Sequence, residues 1–278
     1  MNTVIITGGN RGIGLAAARH VSDAGHPVIL LCRDRKRGEE ARARLAQPAA
    51  PHSHRLVVAD LASLASVRAA AARINELEPT VVALINNAAV LPRQRAVSRD
   101  GFEMQLAVTH LGHFLLTNLL LPLLSRSPRP CRVVTVSSAA HEGPAFDFGD
   151  PNWERRPYRR GRAYQQSKLA NVLFTLELAR RVAGTGVEAV VLHPGVYDTG
   201  LLRDYMGGGR GSGTLARVMG RQADRGGPVL AELAVGCRDE NLNGAYFNKT
   251  SRSSPSAAAR DPHAQSTLWA WSAEAVGL

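Results

Sequence analysis

Hydrophobic positions along this chain fall into two alternating textures. Short unbroken apolar runs recur at Val4–Thr7, Val28–Leu31, Leu56–Ala59, Val81–Asn86, Arg132–Ser137 and Val187–Leu192. Between them lie longer stretches that read as helices: Leu15–Ala24, Ser63–Leu77, Phe102–Leu124 and Ala163–Val182 with apolar residues at helical spacing, and the polar Arg35–Ala46. A continuous Val/Ile/Leu run suits a strand buried on both faces of a parallel sheet, and the wider spacing lines one side of a helix. Ser63 carries an N-cap oxygen for its helix, and Gly25 ends the first one. Strand and helix in alternation predict an α/β fold: a single-domain, Rossmann-type, doubly wound parallel sheet wound through right-handed crossovers.

After His193 the pattern breaks. Gly207–Gly213 is too glycine-rich for a packed element and reads as a loop. Ala231–Val235 reads as helix and Gly244–Phe247 as a last strand. Leu268–Val276, with Trp269 and Trp271, reads as a terminal helix, either covering an apolar groove or packed into the core.

Composition narrows the class. Hydrophobic content of 45% and charged content of 21% are those of a soluble globular chain. The net charge of +11 is dispersed, with its densest cluster at Arg155, Arg156, Arg159, Arg160 and Arg162. Without aromatic residues interleaved for base stacking, charge alone does not make a nucleic-acid binder, and none is expected. Cys32, Cys131 and Cys237 have neither disulfide nor metal spacing, so no metal is expected, and Cys32 and Cys131, in strand-like apolar runs, read as buried reduced thiols. No secretory segment and no apolar run of spanning length is read, so a cytoplasmic chain without an integral membrane segment is expected.

The strongest chemical signal is Thr7-Gly8-Gly9-Asn10-Arg11-Gly12-Ile13-Gly14, between the first strand and first helix. Glycine allows backbone angles and close approaches that a side chain forbids. The helix start adds free N–H groups and a positive dipole end, which together cradle a pyrophosphate. The spacing is GxxxGxG.

Further motifs follow in order: Asp60-Leu61 after the third strand, Asn86-Asn87-Ala88-Ala89 after the fourth, Ser137-Ser138 ending the fifth, Tyr164-Gln-Gln-Ser-Lys168 on a helix, and His193-Pro194-Gly195 with Thr199 beyond. With the glycine loop they resemble the short-chain dehydrogenase/reductase family over nearly the whole chain. Gly101-Phe102-Glu103-Met104-Gln105, His110-Leu111-Gly112-His113-Phe114, Ser167-Lys168-Leu169-Ala170-Asn171, and the insertion containing Phe146-Asp147-Phe148 are similar to its retinol-dehydrogenase-like branch.

The resemblance implies a core (residues 1–195) that binds a dinucleotide and carries catalysis, and a C-terminal substrate-covering extension (196–278). Gly8, Asn10, Arg11, Gly12, Ile13, Gly14, Asp60, Leu61, Asn87, Tyr164, Lys168, Pro194, Gly195, Tyr197 and Thr199 would line the cofactor. Asp34 lies where a general count places the acid that selects NAD. By the family's alignment, however, that position is Cys32, and the next residue is Arg33. A guanidinium at Arg33, with Arg11 in the loop, suits a 2′-phosphate through bidentate bonds, so NADP(H) is expected.

Carbonyl reduction needs a hydride, a proton and a polariser. The family pattern implies Tyr164 as acid/base, Ser138 as the group that binds the substrate oxygen, and Lys168 as the cation that lowers the phenol's pKa and binds the ribose. Tyr164 and Lys168, four apart, share a helical face. One departure stands out. The family's Asn on the central helix, implied to hold a proton-relaying water, is Thr109 here, so a weakened or re-routed relay is expected. His110 and His113 read as buried structural histidines.

The expected activity is NADP(H)-dependent interconversion of a ketone or aldehyde and an alcohol on an apolar small molecule. The alternative is a non-catalytic NADP-binding sensor or partner protein. The pocket is expected between Ala89–Arg95, Ala140–Arg162 and Tyr197–Arg225, with Val90, Leu91, Leu201, Leu202 and Met206 giving it apolar character. The resemblance also implies a homodimer through the helices around Leu115–Leu124 and Leu169–Leu178.

Overall fold

The computed structural model describes residues 3–49, 52–127, 130–195, 226–236 and 241–278. The chain runs β1 (Thr3–Thr7), α1 (Gly12–Asp23), β2 (Val28–Cys32), α2 (Arg35–Arg42), β3 (Arg55–Val58), α3 (Leu64–Leu77), β4 (Val81–Asn86) and a long helix α4 (Met104–Leu124). It continues as β5 (Cys131–Val136), α5 (Arg160–Arg181), β6 (Val187–His193), α6 (Gly226–Gly236), β7 (Tyr246–Asn248), β8 (Ser251–Ser253), α7 (Ala257–Arg260) and α8 (Pro262–Val276).

The strands form one sheet in the order β3-β2-β1-β4-β5-β6-β7-β8, parallel except for the β7–β8 pair. The order reverses between β1 and β4, so a crevice opens at the carboxyl ends of those two strands. Every residue of β1, β2, β4 and β5 is buried, as expected of strands covered on both faces. On one face Ile5, Leu84, Val133 and Val191 pack with α3, α4, α5 and α8. On the other, Ile6, Ile85, Val134 and Leu192 pack with α1 and α6.

Local chemistry sets the helix ends. Ser63 accepts from the Ser66 N–H, and Asp34 from the Arg37 N–H. Asp261 caps α8, Pro262 occupies its first turn, and Gly277 ends it at φ 69°.

Several boundaries differ from the expectations. Helix α2 stops at Arg42, short of Ala46. Helix α5 starts at Arg160, because Arg160–Arg162 form a polar first turn that apolar spacing does not mark. Strand β8 is wholly exposed and polar, and the apolar pattern gives no sign of it. Within α4, Ala107–Leu111 form a π turn.

One expectation is corrected. Met104–Leu124 is long and apolar enough, by length and composition, to cross a membrane; most of that stretch is buried inside this fold. Uncharged polar residues such as Thr109, His110 and His113 break it visually without lowering its apolar character enough.

Candidate active site

The glycine loop bridges β1 and α1 at the crevice. Gly8 has φ +64°, and a Cβ there would sit 3.1 Å from Ala88 Cα. A Cβ on Gly14 would come within 2.5 Å of Asn87 Nδ2 and 2.6 Å of the Gly8 carbonyl. The loop and the Asn87-Ala88 turn therefore interlock only with glycine at these positions. Arg11, the residue before α1, is extended and makes no side-chain cap, and the first turn holds no acidic residue. The first N–H groups of α1 are thus left for an anion, which fits the pyrophosphate of a dinucleotide.

Asn87 Nδ2 donates to the Thr7 carbonyl at 2.8 Å. The Thr7 hydroxyl accepts from the Asn87 and Ala88 N–H groups at 2.9 and 3.0 Å. His113 reaches it from α4, with Nε2 2.8 Å from Thr7 Oγ. Asp60 Oδ1 accepts from the Ala62 N–H and shapes the turn after β3, where Leu61 is buried.

Three consecutive residues at the end of β5 face α5. The Val136 carbonyl accepts from Lys168 Nζ at 3.0 Å. The Ser137 hydroxyl donates to the Lys168 carbonyl at 2.8 Å. The Ser138 side chain lies close enough to Tyr164 to draw its phenol pKa down. Ser138 also accepts from the Ala140 N–H, capping the short 3₁₀ turn Ala139–Glu142. Its own carbonyl accepts from His141 Nδ1 at 2.7 Å, while His141 Nε2 accepts from the Ser256 N–H at 3.1 Å. A fully buried histidine thereby ties the C-terminal segment to the Ser138 backbone.

Burial governs the electrostatics. It pushes Lys168 down to about 7. Burial holds the Tyr164 phenol above its ordinary value, and the neighbouring Ser138 side chain pulls it back only in part. In the free protein the ammonium turns to the Val136 carbonyl, with Nζ 5.8 Å from the centre of the Tyr164 ring.

Thr109 is fully buried in the π turn of α4, and among the described residues its hydroxyl has no partner. It does not bond its own backbone. The Thr109 carbonyl accepts from His113 Nδ1 at 2.9 Å instead. His110 Nε2 meets Ser272 Oγ of α8 at 2.8 Å. Both histidines are buried, with pKa values pushed down to about 3 for His110 and about 4 for His113, so they are neutral structural groups at pH 7.

The insertion after β5 is built on its own charges. Arg156 pairs with Asp147 and Asp150 and lies 3.8 Å over the Trp153 ring. Arg160 donates to the Leu91 carbonyl, and Arg95 to that of Asn152. These bonds join the Ala89–Arg95 and Ala140–Arg162 segments and engage part of the arginine cluster internally.

Residues 2–206 match the family model described as short chain dehydrogenase. This chain belongs to the short-chain dehydrogenase family. Within that family it falls in the retinol-dehydrogenase-like branch: it is 42% identical to human retinol dehydrogenase 13 over 283 residues, covering 99% of this chain and 85% of the relative. Among solved structures it is similar to an uncharacterised protein from Mycobacterium paratuberculosis (TM-score 0.81, 35% identity, covering 100% of this chain and 94% of the other). It is also similar to a blue fluorescent protein from a metagenomic library, solved with NADPH (TM-score 0.63, 25% identity, 89% and 95% covered). The short-chain dehydrogenase is therefore an oxidoreductase of the carbonyl/alcohol class on a Rossmann-like sheet, in a family that uses nicotinamide dinucleotides.

In this short-chain dehydrogenase the folded chain gathers Gly8, Asn10, Arg11, Gly12, Ile13, Gly14 and Asn87 at one end of the crevice, and Ser138, Tyr164 and Lys168 along its next strand end. Pro194 and Gly195 follow β6, with Gly195 at φ 104°. Arg33 is exposed after β2, and Asp34 is engaged as the α2 cap. Tyr197, Thr199, Leu201, Leu202, Met206, Gly207–Gly213 and Cys237 lie outside the described residues. Among the described residues no His, Cys, Asp and Glu cluster could hold a metal. Sequence reading did not single out Thr7, His141 or Asn171 as site residues. The first and last sit inside quoted motifs, which was a usable signal. His141 carries no signal until Ser256 is folded against it.

Proposed function

We propose that this short-chain dehydrogenase interconverts a ketone or aldehyde and an alcohol on an apolar small molecule with NADP(H), using Tyr164 as acid/base. The carrying observation is the hold of Val136 and Ser137 on Lys168, which fixes α5 to the end of β5 where Ser138 neighbours Tyr164. A bound nicotinamide would supply or accept the hydride. In reduction the Tyr164 phenol gives its proton to the carbonyl oxygen, and Ser138 holds that oxygen by a hydrogen bond. Burial keeps Tyr164 protonated at neutral pH, which favours its acting as the acid.

NADP(H) is supported by the exposed guanidinium groups of Arg33 and Arg11 near the cradle, and by the use of Asp34 as a helix cap rather than as a ribose ligand. Half-buried Val90 and buried Leu91 support an apolar substrate. The cytoplasm is the compartment we propose, supported by free, buried Cys32 and Cys131. The homodimer implied through α4 and α5 has less support, because α8 already packs on both helices.

The second reading, an NADP-binding sensor, draws on the unpartnered hydroxyl of Thr109. NADPH consumption against apolar aldehydes and ketones separates the two, with NADH as control. Turnover that vanishes in Tyr164→Phe supports the reductase. Activity gained only in Thr109→Asn, beside tight NADPH binding by wild type, supports the sensor.

A further inference from the structure

The last carbonyl of β5 carries two side chains. Strand β4 ends at Asn86, opposite Thr135, so the Val136 carbonyl lies beyond that ladder. Lys168 Nζ donates to it at 3.0 Å and Asn171 Nδ2 at 3.1 Å. The two side chains lie three residues apart on α5 and so share a face. A carbonyl oxygen has two lone pairs, and these two donors fill them.

Asn171 is 1% exposed. Because its nitrogen must face the carbonyl, the direction of its amide is fixed. Its Oδ1 is buried and, among the described residues, takes no hydrogen bond. An orphaned amide oxygen at this depth is a cost that an apolar side chain of similar size would avoid. Packing alone therefore gives no reason for asparagine at this position, whereas an amide can divide a carbonyl with an ammonium and present an acceptor beside it.

We propose that Asn171 is a positioning residue for Lys168: it holds the Val136 carbonyl and offers Oδ1 beside it, and so fixes where the ammonium sits relative to Tyr164. The proposal rests on the reading of Tyr164 as acid/base. The titratable groups around Lys168 are Tyr164 on its own helix, His113 on α4 and His193 at the end of β6. Burial lowers both histidines below their ordinary range, so neither brings a fixed charge at neutral pH. The neutral amide of Asn171 is therefore the polar neighbour that shares the ammonium's hydrogen-bond acceptor.

The test compares wild type, Asn171→Leu, Asn171→Asp and Tyr164→Phe as full chains, with NADPH and decanal as probes. Asn171→Leu is expected to lower kcat about tenfold, keep the KM for decanal within about threefold, and move the apparent pKa of turnover by about half a unit or more. The readout independent of activity is urea unfolding of the cofactor-free chain across alkaline pH. With Lys168 held at about 7, wild type gains stability as pH rises from there toward the ordinary lysine value of 10.5. A carboxylate in Asn171→Asp raises Lys168 and flattens that gain.

A wild-type pH profile and kcat in Asn171→Leu overturn the proposal, as does lost stability with no shift in apparent pKa. Should Asn171→Leu fail to fold, or wild type not turn decanal over, the Asn171→Asp unfolding curves decide: an unchanged alkaline gain overturns it. Tyr164→Phe separates the two failures. An active Tyr164→Phe sinks the acid/base reading. An inactive one beside an unperturbed Asn171→Leu sinks the positioning role alone.

Discussion

Thr7 donates its hydroxyl proton to His113. His113 Nδ1 lies 2.9 Å from the Thr109 carbonyl, which can only accept, so that nitrogen carries the ring proton. Held neutral with a pKa of about 4, the ring has a bare Nε2, and the 2.8 Å contact must run from Thr7 to it. The Thr7 oxygen then faces the N–H groups of Asn87 and Ala88 with its lone pairs. One hydroxyl thereby joins the cradle, the turn after β4 and the π turn of α4.

Thr7→Val keeps the shape of this residue and removes the oxygen. It strands two part-buried N–H groups and one buried imidazole nitrogen, at about 1–3 kcal/mol for each buried group left unsatisfied. Urea unfolding should show a loss of that order, and fluorescence titration should show weakened NADPH binding. Thr7→Ser should recover most of both. A Thr7→Val protein as stable as wild type would mean the network is idle.

Acid should unfold this protein before its carboxylates alone account for it. His110 and His113 are neutral when folded, with pKa values near 3 and 4, but have the ordinary 6.5 when unfolded. Between those values the unfolded chain binds more protons, so stability is complete above pH 6.5 and falls as pH drops toward 4. Replacing His110 by Gln should flatten this part of the curve of unfolding free energy against pH. An equally steep curve would remove His110 as a cause.

Arg132 is 3% exposed, pairs with Glu188 at 2.8 Å and donates to the Leu233 carbonyl. Arg132→Ala should cost about 3–5 kcal/mol by leaving a largely buried carboxylate without its cation. Arg132→Met combined with Glu188→Leu should recover most of that loss. A double variant no more stable than Arg132→Ala would assign the cost to lost packing with α6 instead.

Arg33→Ala should raise the NADPH dissociation constant about tenfold and leave NADH nearly unchanged, since a guanidinium–phosphate pair is worth on the order of 1.4 kcal/mol or more. Arg11→Ala should act in the same direction. Equal losses for both dinucleotides would show that these residues contact the shared part of the cofactor.

The alternation of strands and helices was legible because burial on both faces leaves unbroken apolar runs, as in Val28–Cys32 and Val81–Asn86. The glycine loop was legible because close approach to Asn87 and Ala88 excludes any side chain at Gly8 and Gly14. The π turn at Ala107–Leu111 was not, since a change of hydrogen-bond ladder leaves apolar spacing almost intact. The Lys168–Val136 contact was hidden for another reason: a backbone carbonyl looks the same at every residue. Helical spacing puts Tyr164 and Lys168 on one face but does not say which acceptor the ammonium faces or how deeply it is buried.

Helix α8 has a consequence for how the protein is made. Trp269 packs against Phe114 of α4 and Phe174 of α5, and Leu268 is fully buried beside them. On the ribosome α4 and α5 emerge long before Pro262–Val276 is synthesised. For that interval their leucine-rich sides have no cover, and a nascent chain in this state is open to aggregation or chaperone capture. Translation stopped just short of α8 should leave a chain with every motif of the site and no finished core. Pulse-labelled chains released before and after that point should differ sharply in protease resistance.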